Sequence, residues 1–156
     1  MELYHIAKWL HVLGATVLLG TGAGIAFFMV MAHRTRDAKV IAAVASIVVL
    51  ADYVFTLSAV VAQPLTGLWL ADRAGWELTQ GWIVASIALY LFTGAFWIPV
   101  VFMQKRRRDL ARGAARDGTP LPDEYFRLYR RWFACGFPAF FAVLAIFWLM
   151  IARPIF

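Results

Sequence analysis

Four long stretches of the sequence are almost free of acidic and basic residues. They cover residues 9–33, 40–71, 76–104 and 132–152, and only Asp52 and Glu77 interrupt them. Each contains the roughly 20 apolar residues that a helix needs to cross about 30 Å of hydrocarbon. An alternation of apolar and polar residues, which would indicate barrel strands, is absent. The sequence therefore predicts an all-α, integral membrane four-helix bundle of up-and-down topology, with spans at about 6–32, 40–63, 80–104 and 132–152.

The composition excludes the main alternatives to a membrane protein. Hydrophobic residues make up 63% of the 156 residues and charged residues 15%, against about 45–50% and about 25% in soluble domains. A soluble domain of this size could not bury so much apolar surface. The single cysteine, Cys135, excludes an internal disulfide and any CxxC motif. We expect one transmembrane domain over residues 1–156.

The basic residues predict the orientation of the bundle. Twelve of the fifteen follow the first span or lie between the third and fourth spans: Arg34, Arg36, Lys39, Lys105, Arg106, Arg107, Arg108, Arg112, Arg116, Arg127, Arg130 and Arg131. Loops rich in Lys and Arg stay on the cytoplasmic side of a membrane. Both termini are therefore expected in the periplasm, and the chain is expected to be a multi-pass protein of the bacterial inner (cytoplasmic) membrane.

The segments between the spans also carry expectations. Residues 105–131 are expected to form a basic cytoplasmic loop that contacts anionic lipids rather than nucleic acid. Within it, residues 113–122 should be a flexible connector, and a short amphipathic helix starting near Asp123 should lie on the membrane surface before the last span. The second helix is expected to end at residues 63–67, where Gln63, Pro64 and Gly67 lie close together.

His11 is the strongest candidate for a cofactor ligand, because it is a polar residue within an apolar span. Small and apolar residues share its helix face: Gly14, Ala15, Leu18 and Gly22. That face could leave room for a flat macrocycle, with His11 as an axial ligand of haem iron. The alternative is a histidine that forms a hydrogen bond across the bundle while the glycines serve helix packing. Met150, at a matching depth, is the candidate for a second axial ligand.

Asp52 is the only carboxylic acid near the middle of a span. A buried carboxyl group could carry protons or hold a polar substrate, and Asp52 is therefore the candidate catalytic residue. It could equally be a structural group, protonated or bonded to another helix. Thr93, Trp97 and Gln104 on the third span are its candidate partners.

Two resemblances add to this interpretation. Residues 3–14, which include Lys8, His11 and Gly14, and residues 27–34, which include His33, resemble the first helix of the HemJ-type membrane protoporphyrinogen oxidases. Nearly the whole chain resembles a family of small bacterial predicted integral membrane proteins of unknown function. The similar fragments of that family lie at 51–56, 61–67, 96–100 and 145–150. This family in turn resembles the CopD-like copper-resistance membrane proteins.

The HemJ-type resemblance implies that His11 is a ligand of haem b. The resulting hypothesis is a membrane-embedded haem b-binding protein that serves as a redox or porphyrin-handling component and works with a membrane redox partner. The alternative is a non-catalytic accessory or assembly subunit, or a small transporter that acts as a homo-oligomer. The sequence leaves open whether the protein is an enzyme.

Overall fold

The structure, a computed structural model, describes residues 1–155 and is helical almost throughout. Its helices are α1 (Glu2–Thr35), α2 (Ala38–Ala51), α3 (Leu57–Arg73), α4 (Gly81–Asp117) and α5 (Asp123–Ala152). A π-helical segment over Asp52–Thr56 joins α2 to α3 without a break. Within these described residues there is no strand. The expected all-helical fold is confirmed.

Four of these helical units are long and apolar enough to cross a membrane, and α2, the π-helical segment and α3 together form one of them. The chain runs up and down, so the turns at 36–37 and 118–122 lie at one end of the bundle. This is called the basic end, because most Lys and Arg residues lie near it. The other end, called the terminal end, carries both chain termini and the 74–80 turn.

The buried core is concentrated towards the basic end. One cluster joins α1, α2 and α5 through Ile25, Met29, Ala45, Val48 and Trp132. A second joins α1, α2, α4 and α5 through Ala32, Ile41, Ala42, Ala111 and Tyr125. In the terminal half of the bundle, α1 packs against α3, and α4 runs beside α5. The candidate residue His11 therefore belongs to the α1–α3 pair.

The expected helix end at residues 63–67 is wrong. α3 continues through Pro64 to Arg73. A proline in a helix leaves the carbonyl four residues earlier without its usual donor, and here that carbonyl belongs to Val60. The Tyr90 hydroxyl, from α4, donates a hydrogen bond to the Val60 carbonyl oxygen. A neighbouring helix thus satisfies the freed backbone group, as helices in lipid require.

The expected loop over residues 105–131 is also wrong in its structure. α4 continues to Asp117, and only 118–122 connect it to α5, which begins at Asp123. Lys, Arg, Leu and Ala, which favour helices, dominate the end of α4, and Gly118 ends that helix in the left-handed region (φ 65°). The expected amphipathic helix is the beginning of α5 itself, continuous with the last span.

Candidate functional site

The imidazole of His11 lies against α3, where a threonine hydroxyl holds it. His11 Nδ1 is 2.8 Å from Thr66 Oγ1. The Thr66 hydroxyl has a single proton, which it donates to the Ala62 carbonyl oxygen at 2.7 Å. When the hydroxyl proton lies on Ala62, Thr66 Oγ1 accepts from His11, and Nδ1 carries the proton of the neutral ring. His11 Nε2 then keeps a free lone pair.

Two glycines allow this close approach of α1 to α3. Gln63 Nε2 donates to the His11 carbonyl oxygen at 2.8 Å, and a Cβ at Gly14 would lie only 2.4 Å from that same amide nitrogen. On the opposite helix, a Cβ at Gly67 would lie 3.1 Å from His11 Cε1. Gly14 and Gly67 thus serve helix packing around His11, and the Gln63 amide fills the space beside Gly14.

The other residues of the His11 face have different surroundings. Ala15 and Leu18 are half-buried, whereas Gly22 is exposed, and a Cβ at Gly22 would meet no atom within 4 Å. Met150 is 37% exposed on α5. The contacts seen between α1 and α5 include His33 with Tyr125 and Tyr129, at the basic end and away from His11 and Met150. The role of these residues towards a cofactor stays a prediction.

Asp52 lies inside the bundle at the first residue of the π-helical segment, with 5% of its surface exposed. Two of its three expected partners lie against it. Trp97 Nε1 donates to Asp52 Oδ1 at 3.4 Å, and the Gln104 side-chain nitrogen faces Asp52 Oδ2 at 3.3 Å when the amide is oriented to satisfy both of its neighbours. The third, Thr93, instead donates to the Leu89 carbonyl oxygen of its own helix.

The surroundings of Asp52 combine a small cavity with a polar chain. The cavity, of about 70 Å³, is lined by Asp52, Tyr53, Leu57, Trp97 and Val101. In the same amide orientation, the Gln104 oxygen accepts from Trp132 Nε1 at 3.3 Å. A π-helical turn within an α-helix is frequent at functional sites, so the distortion at Asp52 marks this carboxyl group as a candidate functional centre.

A third cluster, at the basic end, surrounds Arg107. Its side chain is only 1% exposed, and its guanidinium lies over the rings of Trp132, Tyr129 and Tyr125 at 4.4, 5.3 and 5.8 Å. His33 stacks on Tyr129 with ring centroids 3.6 Å apart, and its Nδ1 is 3.2 Å from the Tyr125 hydroxyl. This cluster joins α1, α4 and α5.

Sequence reasoning found Asp52 and His11 but missed several of their neighbours. The roles of Gln63 and Thr66 were hidden because this segment was expected to be a turn. Arg107 was counted among the lipid-facing basic residues, although its spacing of three from Gln104 places both on one helix face. That spacing could have shown from the sequence that Arg107 faces the bundle. Nothing in the sequence predicted the π-helical segment.

Side chains that could together hold a metal ion do not cluster in the described part of the chain: no group of three His, Cys, Asp or Glu residues lies together among residues 1–155. A single imidazole such as His11 can still act as an axial haem ligand. The His11 ring is oriented by its hydrogen bond to Thr66, as the His33 ring is by its hydrogen bond to Tyr125.

Comparison with known protein families gives a match over nearly the whole chain. The family model described as a predicted integral membrane protein (DUF2269) matches residues 5–154. No curated protein and no solved structure matches the chain. The family match covers almost the whole chain, including all four membrane-spanning helical units. The chain therefore belongs to the DUF2269 family of predicted integral membrane proteins.

Proposed function

We propose that this protein binds haem b in the membrane through Nε2 of His11 and acts as a redox or porphyrin-handling component. The observation that carries the proposal is the orientation of the imidazole: Nδ1 lies 2.8 Å from Thr66 Oγ1, so Nε2 is the ring nitrogen left for another partner. Histidines that ligate metals usually donate their other ring N–H to a protein oxygen, which fixes the tautomer and the ring. In the tautomer with the proton on Nδ1, His11 has this arrangement with Thr66.

The residues near His11 fit an apolar macrocycle in part. Ala15 and Leu18 are half-buried on α1, and Gly22 borders open space, so these three residues can supply apolar contact. Gly14 does not contribute space, because Gln63 occupies its surface. Besides His11, the haem iron would be held by Met150, a group from another helix, water or a second subunit.

Asp52 gives the proposal a proton-handling group. Bound haem iron would supply one-electron chemistry, and a carboxyl group inside the bundle can take up or release a proton. Trp97 and Gln104 direct N–H groups at the two carboxyl oxygens of Asp52, which fixes the orientation of the carboxyl group inside the bundle. The adjacent cavity of about 70 Å³ is large enough for water.

The cellular setting belongs to the same proposal. The concentration of Lys and Arg at the basic end supports a bacterial inner membrane protein whose basic end faces the cytoplasm. The α1–α3 pair that holds His11 would then lie towards the periplasmic side. A redox partner within the membrane would exchange electrons there.

An absorption spectrum tests haem binding directly. We expect protein produced with ample haem, and purified in mild detergent, to show a Soret band, with sharp α and β bands after reduction. His11→Ala should abolish these bands, and the matched control His33→Ala, at the basic end, should keep them. Thr66→Val should keep the haem but weaken its binding by about 10–100-fold, as loss of a partner that orients a ligand does.

A colourless wild-type protein would refute haem binding and leave the second candidate, a non-catalytic accessory subunit or a small homo-oligomeric transporter. The burial of Asp52 beside a cavity favours this candidate, because an acid inside a membrane bundle marks many ion and substrate pathways. One chain of four helices offers little enclosed space, so transport would require several copies. Cross-linking in the membrane would detect them.

A further inference from the structure

A cleft at the basic end lies outside the sites described so far. Its volume is about 460 Å³, and its lining residues are His33, Arg36, Pro120, Leu121 and Phe126. It lies between the end of α1 and the 118–122 turn that leads into α5. His33 is at the end of the first span, so the cleft is at the depth of the lipid headgroups.

The two sides of this cleft differ in chemistry. His33 and Arg36 supply N–H donors, and Arg36 always carries a positive charge. Pro120, Leu121 and Phe126 supply an apolar wall. A ligand that fits both sides has a negatively charged group next to an apolar body.

The His33 ring and the backbone of Arg36 are held in place before any ligand arrives. His33 is stacked on Tyr129 and bonded through Nδ1 to the Tyr125 hydroxyl, which leaves its Nε2 for another partner. Arg36 ends α1 in the left-handed region (φ 55°), and its backbone N–H donates to the His33 carbonyl oxygen at 3.2 Å. Donors that are already ordered lose less entropy when a ligand binds.

Arg36 is not neutralised by an ion pair with an acidic side chain in the described part of the chain. The four ion pairs of the described residues are Arg73–Asp72, Arg106–Glu124, Arg108–Asp109 and Arg116–Asp117. None of them includes Arg36. The neighbouring Asp37 is occupied as the N-terminal cap of α2, where its Oδ1 accepts from the Lys39 backbone N–H at 2.7 Å. Arg107, behind His33 and the tyrosines, adds a buried positive charge that has no ion-pair partner among residues 1–155.

We propose that this cleft binds the phosphate headgroup of an anionic phospholipid. Arg36 and His33 hold the phosphate oxygens through charge-assisted and neutral hydrogen bonds, and Phe126 and Leu121 contact the glycerol and the first part of an acyl chain. The site is separate from His11, so it does not depend on haem binding. Basic residues are attracted to anionic membranes in general. The proposal assigns part of that attraction to this cleft.

Lipid titration followed by native mass spectrometry tests the proposal. The full chain, stripped of lipid in detergent, is titrated with phosphatidylglycerol or with phosphatidylcholine of the same acyl chains. We expect the wild type to bind one phosphatidylglycerol more tightly than it binds phosphatidylcholine. Arg36→Asn, a residue type that tolerates positive φ, should weaken that binding about tenfold, as expected for one lost charge-assisted hydrogen bond.

The matched control is Arg34→Gln, which removes one charge from the same end of α1 without altering the cleft lining. It should leave phosphatidylglycerol binding within about twofold of the wild type. Equal weakening by both substitutions would overturn the proposal, because the attraction would then be general and not a property of this cleft. Excess glycerol 3-phosphate is the second arm. Displacement of the lipid by this headgroup alone would show that the site takes free phosphate compounds and would refute a lipid ligand.

Discussion

The contact between Gly14 and Gln63 predicts a stability difference that can be measured within one helix. Replacing Gly14 with alanine puts a methyl group where the Gln63 amide now lies, because the new Cβ would be 2.4 Å from Gln63 Nε2. Gln63 must then turn away and lose its 2.8 Å hydrogen bond to the His11 carbonyl oxygen. Gly22→Ala is the matched control, because its Cβ meets no atom within 4 Å.

The magnitudes separate the two variants. Alanine in a helix interior is favoured over glycine by about 0.5–1 kcal/mol, so Gly22→Ala should be more stable than the wild type by that amount. Gly14→Ala has the same gain but loses a hydrogen bond of about 0.5–1.5 kcal/mol and adds packing strain of about 1 kcal/mol or more. We expect it to be less stable than the wild type by about 1 kcal/mol.

Denaturation of the purified proteins in mixed detergent micelles, followed by circular dichroism, measures the free energy of unfolding. Gln63→Ala provides the coupling test, because it removes the side chain that collides with the new methyl group. In the double variant, the penalty of Gly14→Ala should fall by about 1 kcal/mol or more. If Gly14→Ala and Gly22→Ala are equally stable, the close approach of α1 to α3 at His11 does not exist.

Two further predictions concern the α3–α4 contact and the topology. Tyr90→Phe removes the donor to the Val60 carbonyl and should destabilise the fold by about 1–2 kcal/mol, whereas Tyr53→Phe, at an exposed position, should leave the free energy of unfolding unchanged. Reporter fusions at Gly118 and at the C-terminus should lie on opposite sides of the membrane, with Gly118 in the cytoplasm; the same side for both would contradict the four-span topology.

The sequence was sufficient to predict the global fold, because each span can be recognised by its length and its lack of charged residues. It also identified Asp52 as a buried acid facing Trp97 and Gln104, since a polar side chain in lipid must face a partner. These predictions follow from a single strong cost, that of leaving a polar group in hydrocarbon. Such a cost does not depend on details of packing.

The sequence was insufficient to predict local structure where an unfavourable residue is compensated by a neighbouring helix. Pro64 breaks helices in water, but within a bundle the Tyr90 hydroxyl compensates the freed Val60 carbonyl, and only the three-dimensional structure reveals that compensation. In the same way, Gly14 was interpreted as space for a cofactor, and the structure shows the Gln63 amide there. Gly14 marks a close approach and Gly22 does not, and the glycine itself does not identify the group that comes close.

Arg107 leads to a last prediction about buried charge. Its side chain is 1% exposed, its Nε and Nη1 have no hydrogen-bond partner, and aromatic rings surround it. Burying a charge without an ion pair is costly, and replacing such a charge with an apolar group of similar shape is often neutral or stabilising. Arg107→Met keeps the unbranched stem and loses only the interaction with the rings, worth about 0.5–2 kcal/mol.

We therefore expect Arg107→Met to be at least as stable as the wild type in lipid-free detergent. Arg107→Lys should be less stable by about 1–2 kcal/mol, because its ammonium keeps the charge but lacks the planar group that stacks on Trp132. Comparing the free energy of unfolding of these two variants with that of the wild type distinguishes the effect of the buried charge from the effect of the planar group that stacks on the rings. If Arg107→Met loses more than about 3 kcal/mol, Arg107 must have an ionised partner in solution. Asp52, linked to Trp132 through Gln104, is a candidate to test by the double variant with Asp52→Asn.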